Sequence, residues 1–466
     1  MLTKSYVSSC TIRSAFSAAM SAMYRTEVHA YGTLMDIVAK VNAATLAANP
    51  VLRHRLEETN SLERVSEERH GAIRLGTAAE LAMMRRVFAV MGMFPVGYYD
   101  LSEAGVPVHS TAFRPVGDVA LKRNPFRVFT SLLRLDLIAD EELRAEADAI
   151  LQKRQIFTAG AIELTEKAER QGGLGDDDAE HFVAEVLETF RWHDQANVGL
   201  AMYGRLHDAH RLIADVVSFK GPHINHLTPR TLDIDEVQRL MPEYGIAPKA
   251  VVEGPPSRRC AILLRQTSFK ALEEAVSFRD ASGHWQEGTH TARFGEIESR
   301  GIALTPKGRA LYDKLLTDSR KVVRPAADGS NAAAYEKALV DAFVLFPDSW
   351  AEIRAQGLGY FRYSLTEKGE SAVASADASI EQLLLDGLVC FDAIVYEDFL
   401  PVSAAGIFQS NLGDEATQEF TASPNQQRFE RDLGTPVLNE FDHYAGIEAQ
   451  SIAECRARLS AAQAAE

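Results

Sequence analysis

The chain has 466 residues, 46% hydrophobic and 24% charged, and a formal net charge of −16. That acidity disfavours nucleic acid or an anionic membrane as a partner, because phosphate contacts need a basic face. No stretch approaches the ~18 unbroken apolar residues of a membrane-spanning helix, and the length suits two or three domains, or one domain with large insertions.

Residues 1–60 read as N-terminal helices. Phe16 to Met23, after Lys4 and Arg13, has a superficial likeness to a signal peptide, but serines break it. It reads better as an amphipathic helix continued over 31–41. Residues 61–135 form a first module: a strand over 69–75 carrying His70 and Arg74, a helix over 79–90, a turn at Gly92, then strands over 96–101, 107–115 and 126–133. Residues 136–214 are helical in pattern and read as an insertion, with an Asp176-Asp177-Asp178 run suited to capping a helix. His207 and His210 there have the i, i+3 spacing of helical metal ligands, but no carboxylate signature accompanies them.

A second module spans 215–316. A strand over 224–228 puts Ile224, His226 and Thr228 on one face. An acid-started helix over 233–241 closes on Gly245, and strand-like stretches follow at 259–266, 269–278 and 289–300. His70 lies 22 residues before Gly92-Met93-Phe94-Pro95, and His226 lies 19 before Gly245-Ile246-Ala247-Pro248. Two degenerate βαβββ copies, each opening with a histidine, imply paired modules. Residues 317–466 complete the chain as an α/β wrapping segment, with a strand over 391–402, a polar surface stretch from Asn425 and a final helix over 447–465. Cys10, Cys260, Cys390 and Cys455 are scattered without a CxxC spacing, so a reducing, cytoplasmic compartment is expected.

Two histidine-bearing strands and a late glutamate suit a mononuclear metal site. Two imidazoles and one carboxylate on one face of Fe(II) leave three positions open for substrate and O2; Zn(II) on the same ligands would serve hydrolysis. His223, His284 and His290 compete with His70 and His226 for the role. Glu296 and Glu298 are two apart in a strand and share a face, so alternation does not choose between them.

Phe294-Gly295-Glu296-Ile297-Glu298-Ser299-Arg300 resembles the F-x-E-I-x-x-R strand of hydroxyphenylpyruvate dioxygenase and hydroxymandelate synthase, and the paired units resemble the vicinal oxygen chelate superfamily. From FSAAMSAMYRTEV through RHGAIRLG, FKGPHINHLTPR and FGEIESRGIALT to DFLPVSAAGIFQSNL, the chain resembles the 2-oxoadipate dioxygenase/decarboxylase (2-hydroxyglutarate synthase) family. The resemblance implies an α+β fold of two βαβββ modules forming a paired half-barrel sheet, and Fe(2+) held by His70, His226 and Glu296. It also implies conversion of 2-oxoadipate and O2 to D-2-hydroxyglutarate and CO2 in lysine catabolism, through substrate chelation, decarboxylation to a ferryl and intramolecular hydroxylation. The helical insertion departs from simpler superfamily members, so pocket walls do not transfer from them.

The substrate the resemblance implies is a small 2-oxo dicarboxylate, whose far carboxylate would need a cation. Arg74, four residues after His70 on the same strand face, offers a planar fork. The resemblance adds Val402 and Ser403 as the part of the pocket that closes over the substrate. Two other readings stand beside this one. A glyoxalase-like isomerase or ring-cleaving dioxygenase would keep the fold and change the reaction. Ala303-Leu304-Thr305-Pro306-Lys307-Gly308 and Ser364-Leu365-Thr366-Glu367-Lys368-Gly369 look like the LT-x-KG turn of winged-helix DNA-binding regulators. The acidic charge opposes the regulator and favours plain strand-to-helix turns capped by threonine.

Overall fold

The computed structural model describes residues 6–461, apart from 59–61, 68, 103–104, 281, 327, 373–377 and 401–424. The chain divides into two compact, discontinuous units: Met1–Val252 with Gln266–Ser299 and Phe399–Val437, and Glu253–Arg265 with Arg300–Asp398 and Leu438–Glu466.

The first unit is built on a five-stranded sheet of order β2-β3-β4-β1-β5. Its strands are β1 (Arg69–Leu75), β2 (Phe94–Asp100), β3 (Val108–Arg114), β4 (Arg127–Leu133) and β5 (Leu227–Pro229). β1 runs parallel to β4 and antiparallel to β5, with His70 opposite Arg127 on one side and Thr228 on the other. The crossover helix Ala78–Val90 starts with a reciprocal capping box between Thr77 and Glu80. It ends at Gly92, whose φ of +65° places it in the left-handed region. Gly245 closes the corresponding turn of the second module with φ +75°. The first module thus matches its expected elements to within a residue or two.

The N-terminal helix Ser9–Glu27 buries Ile12, Phe16, Met20 and Met23, a stripe at helical spacing, in the same core as Val87 and Phe88 of the crossover helix. Between the modules lie five helices: Glu141–Leu151, Ala159–Gln171, Asp176–Glu188, Leu200–Ala209 and Arg211–Ser218. His210 is an N-cap, its Nδ1 accepting from Leu212 N at 3.0 Å, while His207 packs beside Tyr203.

The second module departs from its expected regularity. The strand expected over 224–228 is only Leu227–Pro229, so His226 precedes it. The backbone of the preceding residues leaves the regular ladder: Ile224 N donates to Phe190 O at 2.9 Å, and Asn225 N to Ala72 O of β1 at 3.0 Å. The long strand expected over 289–300 is two, β8 (Trp285–Thr291) and β9 (Glu296–Arg300). In the break between them, Phe294 N donates to Asn225 O at 3.1 Å. β8 pairs with β7 (Glu273–Arg279), and β9 with β6 (Leu264–Ser268), each as a two-stranded sheet. Among the described residues the mixed α+β class therefore stands, with the second module's strands in short pairs.

In the second unit, β10 (Phe361–Leu365) pairs with β11 (Val389–Ala393). The helix Glu440–Ala461 receives Phe361 N on Glu448 Oε1 and Tyr363 N on Ser451 Oγ. Both LT-x-KG copies are one device. Thr305 and Thr366 each accept the Gly308 or Gly369 amide at 3.1 Å and donate to Gly357 O or Gly387 O at 2.7 Å. They are capped strand-to-helix turns. No helix among the described residues is long and apolar enough to cross a membrane.

Candidate metal centre

His70, His226 and Glu296 are all buried, and one ligand atom from each lies within 4.8 Å of the others. His70 Nε2 is 3.0 Å from Glu296 Oε1, and His226 Nε2 is 4.0 Å from the same oxygen. Three elements deliver them. β1 carries His70, the irregular segment before β5 carries His226, and β9 opens with Glu296.

The local sequence explains the approach. A Cβ on Gly71 would lie 2.5 Å from Ile224 Cδ1 and 3.0 Å from His226 O, so glycine lets the His226 segment lie this close to β1 without either neighbour shifting. The hydroxyl of Tyr24, from the N-terminal helix, lies 3.0 Å from Asn225 O and 2.7 Å from Phe294 O and shares its one hydrogen between them. One buried phenol thereby ties the segment before His226 to the segment before Glu296.

The donor set fits a divalent cation. Adjacent ligand atoms around an ion bound at about 2.0–2.2 Å stand roughly 3 Å apart, close to the His70–Glu296 separation. Glu296 Oε1 also accepts from Thr228 Oγ1 at 3.1 Å and Gln266 Nε2 at 3.0 Å. Glu296 Oε2 and His226 Nδ1 are buried without a hydrogen-bond partner. A buried carboxylate oxygen left in this way is costly unless a cation meets it.

Burial pushes the His226 pKa well below its ordinary value, helped by His70 and Arg74, so the ring stays neutral as a metal ligand must. Burial also opposes a proton on His70. The carboxylates of Glu298 and Glu296 outweigh it and hold that pKa above its ordinary value, which marks the space between His70 and Glu296 as one that attracts positive charge.

Both glutamates of the late strand reach His70, as their shared face allows. Glu298 Oε2 stands 3.1 Å from His70 Nδ1, without the alignment of a full hydrogen bond, while Glu298 Oε1 accepts from Arg127 Nη1 at 3.1 Å. Phe399 packs edge-on to His70 at 4.9 Å, and Phe294 lies 4.8 Å from His226.

Arg74 is buried, and its Nη1 donates to Asp215 Oδ2 at 2.5 Å. The competing histidines are elsewhere. His223 and His290 both face Asp215, and His284 is exposed beside Asp280. Val402 and Ser403 lie outside the described residues.

Alternation places Thr228 on the His226 face but does not show its bond to Glu296, and Gln266, Arg127 and Asp215 are ordinary polar residues until the strands pair.

A mixed α+β fold whose buried histidine pair and glutamate can hold one metal ion has the pattern of a mononuclear metal-dependent enzyme with open coordination positions. A family model described as 2-oxoadipate dioxygenase/decarboxylase matches residues 16–411. The curated 2-oxoadipate dioxygenase/decarboxylase of Pseudomonas putida is 58% identical over 98% of both chains. Its namesake from Escherichia coli is 56% identical over 95% of this chain and 97% of its own. A crystal structure of the hydroxyglutarate synthase from Pseudomonas putida in complex with 2-oxoadipate superposes with a TM-score of 0.90 at 57% identity, covering 98% of this chain and 100% of that one. The chain belongs to the 2-oxoadipate dioxygenase/decarboxylase family.

Proposed function

We propose that this protein is an Fe(II)-dependent dioxygenase that decarboxylates 2-oxoadipate with O2, giving D-2-hydroxyglutarate and CO2 as a step of lysine catabolism. The carrying observation is the buried His70, His226 and Glu296 triad, in a chain so similar to a hydroxyglutarate synthase crystallised with 2-oxoadipate. Ferrous iron, when bound, supplies open positions for a 2-oxo acid and O2 together with the redox chemistry.

The protein's residues supply geometry. His70, His226 and Glu296 would hold the metal. Glu298 stands 3.1 Å from the far nitrogen of His70 and backs the ring electrostatically, while Arg127 balances the charge of Glu298. Thr228 and Gln266 hold the Glu296 carboxylate from one oxygen. Phe399 and Phe294 shield the imidazoles from water.

Arg74 shares the β1 face with His70, its Cα about 13 Å along the strand. A six-carbon diacid held by its 2-oxo end at the metal would run along that face, with its distal carboxylate toward the guanidinium. Val402 and Ser403 are assigned to the substrate pocket by the family resemblance. A cytoplasmic home agrees with four unpaired thiols, Cys390 among them exposed.

The test is anaerobic loading with Fe(II), addition of 2-oxoadipate, and an O2 pulse. Equal amounts of O2 consumed, CO2 released and 2-hydroxyglutarate formed are expected. Iron-loaded protein that takes up no O2 with 2-oxoadipate would refute the assignment.

A further inference from the structure

Behind Arg74 lies a closed set of buried side chains that the metal chemistry does not use. Asp215 is 4% exposed. Its Oδ2 accepts from Arg74 Nη1 at 2.5 Å, and its Oδ1 accepts from His290 Nε2 at 2.9 Å, with His223 Nε2 3.3 Å from the same oxygen. His290 Nδ1 lies 2.8 Å from the Tyr203 hydroxyl on the other side of the ring, so the imidazole bridges Asp215 and Tyr203. Trp192 walls the cluster, 4.7 Å from His223 and stacked 6.2 Å from His290.

Turned so that its oxygen faces these donors, the Asn225 amide also accepts from Arg74 Nη1 at 3.0 Å and His223 Nε2 at 3.3 Å. Asp215 therefore gathers donors from β1, β8 and the segment before β5. Burial alone would push its carboxyl up. Arg74, followed by His223 and His290, outweighs burial and keeps it ionised, well below the usual carboxylate range.

An arginine side chain has many rotamers, and a carboxylate clamp works only when the fork points the right way before substrate arrives. We propose that Asp215, locked by His223 and by His290 with Tyr203 behind it, is a positioning residue for Arg74 and aims its guanidinium at the distal carboxylate of the 2-oxo diacid. This rests on Arg74 being the carboxylate clamp. It adds that the clamp is a prearranged, charge-neutral ion pair, so that orientation rather than net charge recognises the substrate.

The experiment uses iron-loaded, full-length enzyme and steady-state kinetics with 2-oxoadipate. Asp215→Asn keeps the size and one acceptor oxygen. Its KM should rise about tenfold or more, as for loss of a charged hydrogen bond, with kcat and iron content within about twofold of the parent. In an Arg74→Ala background, adding Asp215→Asn should leave KM where Arg74→Ala alone puts it.

If Asp215 is merely structural, kcat per chain falls and KM holds, which overturns the proposal. A lowered KM also overturns it, since Asp215 would then compete with substrate for Arg74. So does a further rise of KM in the double variant, which would show a route that bypasses Arg74. Should Asp215→Asn fail to fold, Tyr203→Phe removes a single hydroxyl at one remove and should raise KM about threefold; an unchanged KM there counts against the proposal. The two readings fail separately. A parental KM in Arg74→Ala removes the clamp itself, whereas a raised KM in Arg74→Ala with a parental KM in Asp215→Asn removes only the positioning role.

Discussion

Glu298 stands 3.1 Å from His70 Nδ1, on the ring edge opposite the one that Glu296 meets at 3.0 Å. The two glutamates of β9, two residues apart, thus flank one imidazole, Glu296 in a hydrogen bond to one nitrogen and Glu298 close to the other. A carboxylate behind a metal-binding histidine sets the ring's orientation and raises its basicity. Arg127, paired with His70 across β1 and β4, neutralises that carboxylate.

The two glutamates should separate cleanly on mutation. Glu296→Gln is expected to lose stoichiometric iron and turnover. Glu298→Gln should retain iron at an affinity lowered about 10–100-fold, with reduced turnover. Metal content of the two purified variants checks this, and the reverse pattern would exchange their roles.

His226→Ala should abolish stoichiometric iron binding while leaving the circular dichroism spectrum close to that of the parent. The side chain ends in the triad with its Nδ1 unpartnered, so little of the fold depends on its polar atoms. Full iron occupancy in this variant would take His226 out of the site.

Tyr24→Phe tests the tie between the segments that carry His226 and Glu296. Removing the hydroxyl leaves Asn225 O and Phe294 O without that donor. A loss of about 1–2 kcal/mol in unfolding free energy is expected, together with weaker iron binding, because Phe294 and Asn225 flank the ligands. Denaturant unfolding of the iron-free protein and metal titration read the two effects independently.

The pH dependence of stability should carry a contribution from His109. Burial, with Arg134 and Arg428 nearby and Asp136 partly offsetting them, pushes its pKa down to about 3. Tyr98 and Phe429 also pack against the ring. Between its unfolded value of about 6.5 and that depressed folded value, the unfolded chain binds the extra proton. The stability from a neutral His109 is therefore complete above the unfolded pKa and lost as pH falls through this window. His109→Gln should flatten the acid limb of a Tm-against-pH curve between about pH 6.5 and 4; a limb as steep as the parent's would place the acid sensitivity elsewhere.

Much of this protein was legible in one dimension. The helix Ala78–Val90 with its Thr77–Glu80 box, the Gly92 and Gly245 turns, and the Thr305 and Thr366 caps all depend on contacts within a few residues. Periodicity and capping chemistry encode such contacts directly. The family motif likewise singled out Glu296 beside the two repeat histidines. Tertiary structure decided the rest. The His226 segment and the 289–300 stretch have strand-like sequences, yet both break from regular pairing where they cross each other and bond to β1 and to Tyr24. Arg74 meets Asp215 across 141 positions, and His70 meets Glu296 across 226. No local pattern records which buried donor will find which acceptor over such spans. Burial makes an unpaired charge too costly to leave, but only the packed fold selects its partner.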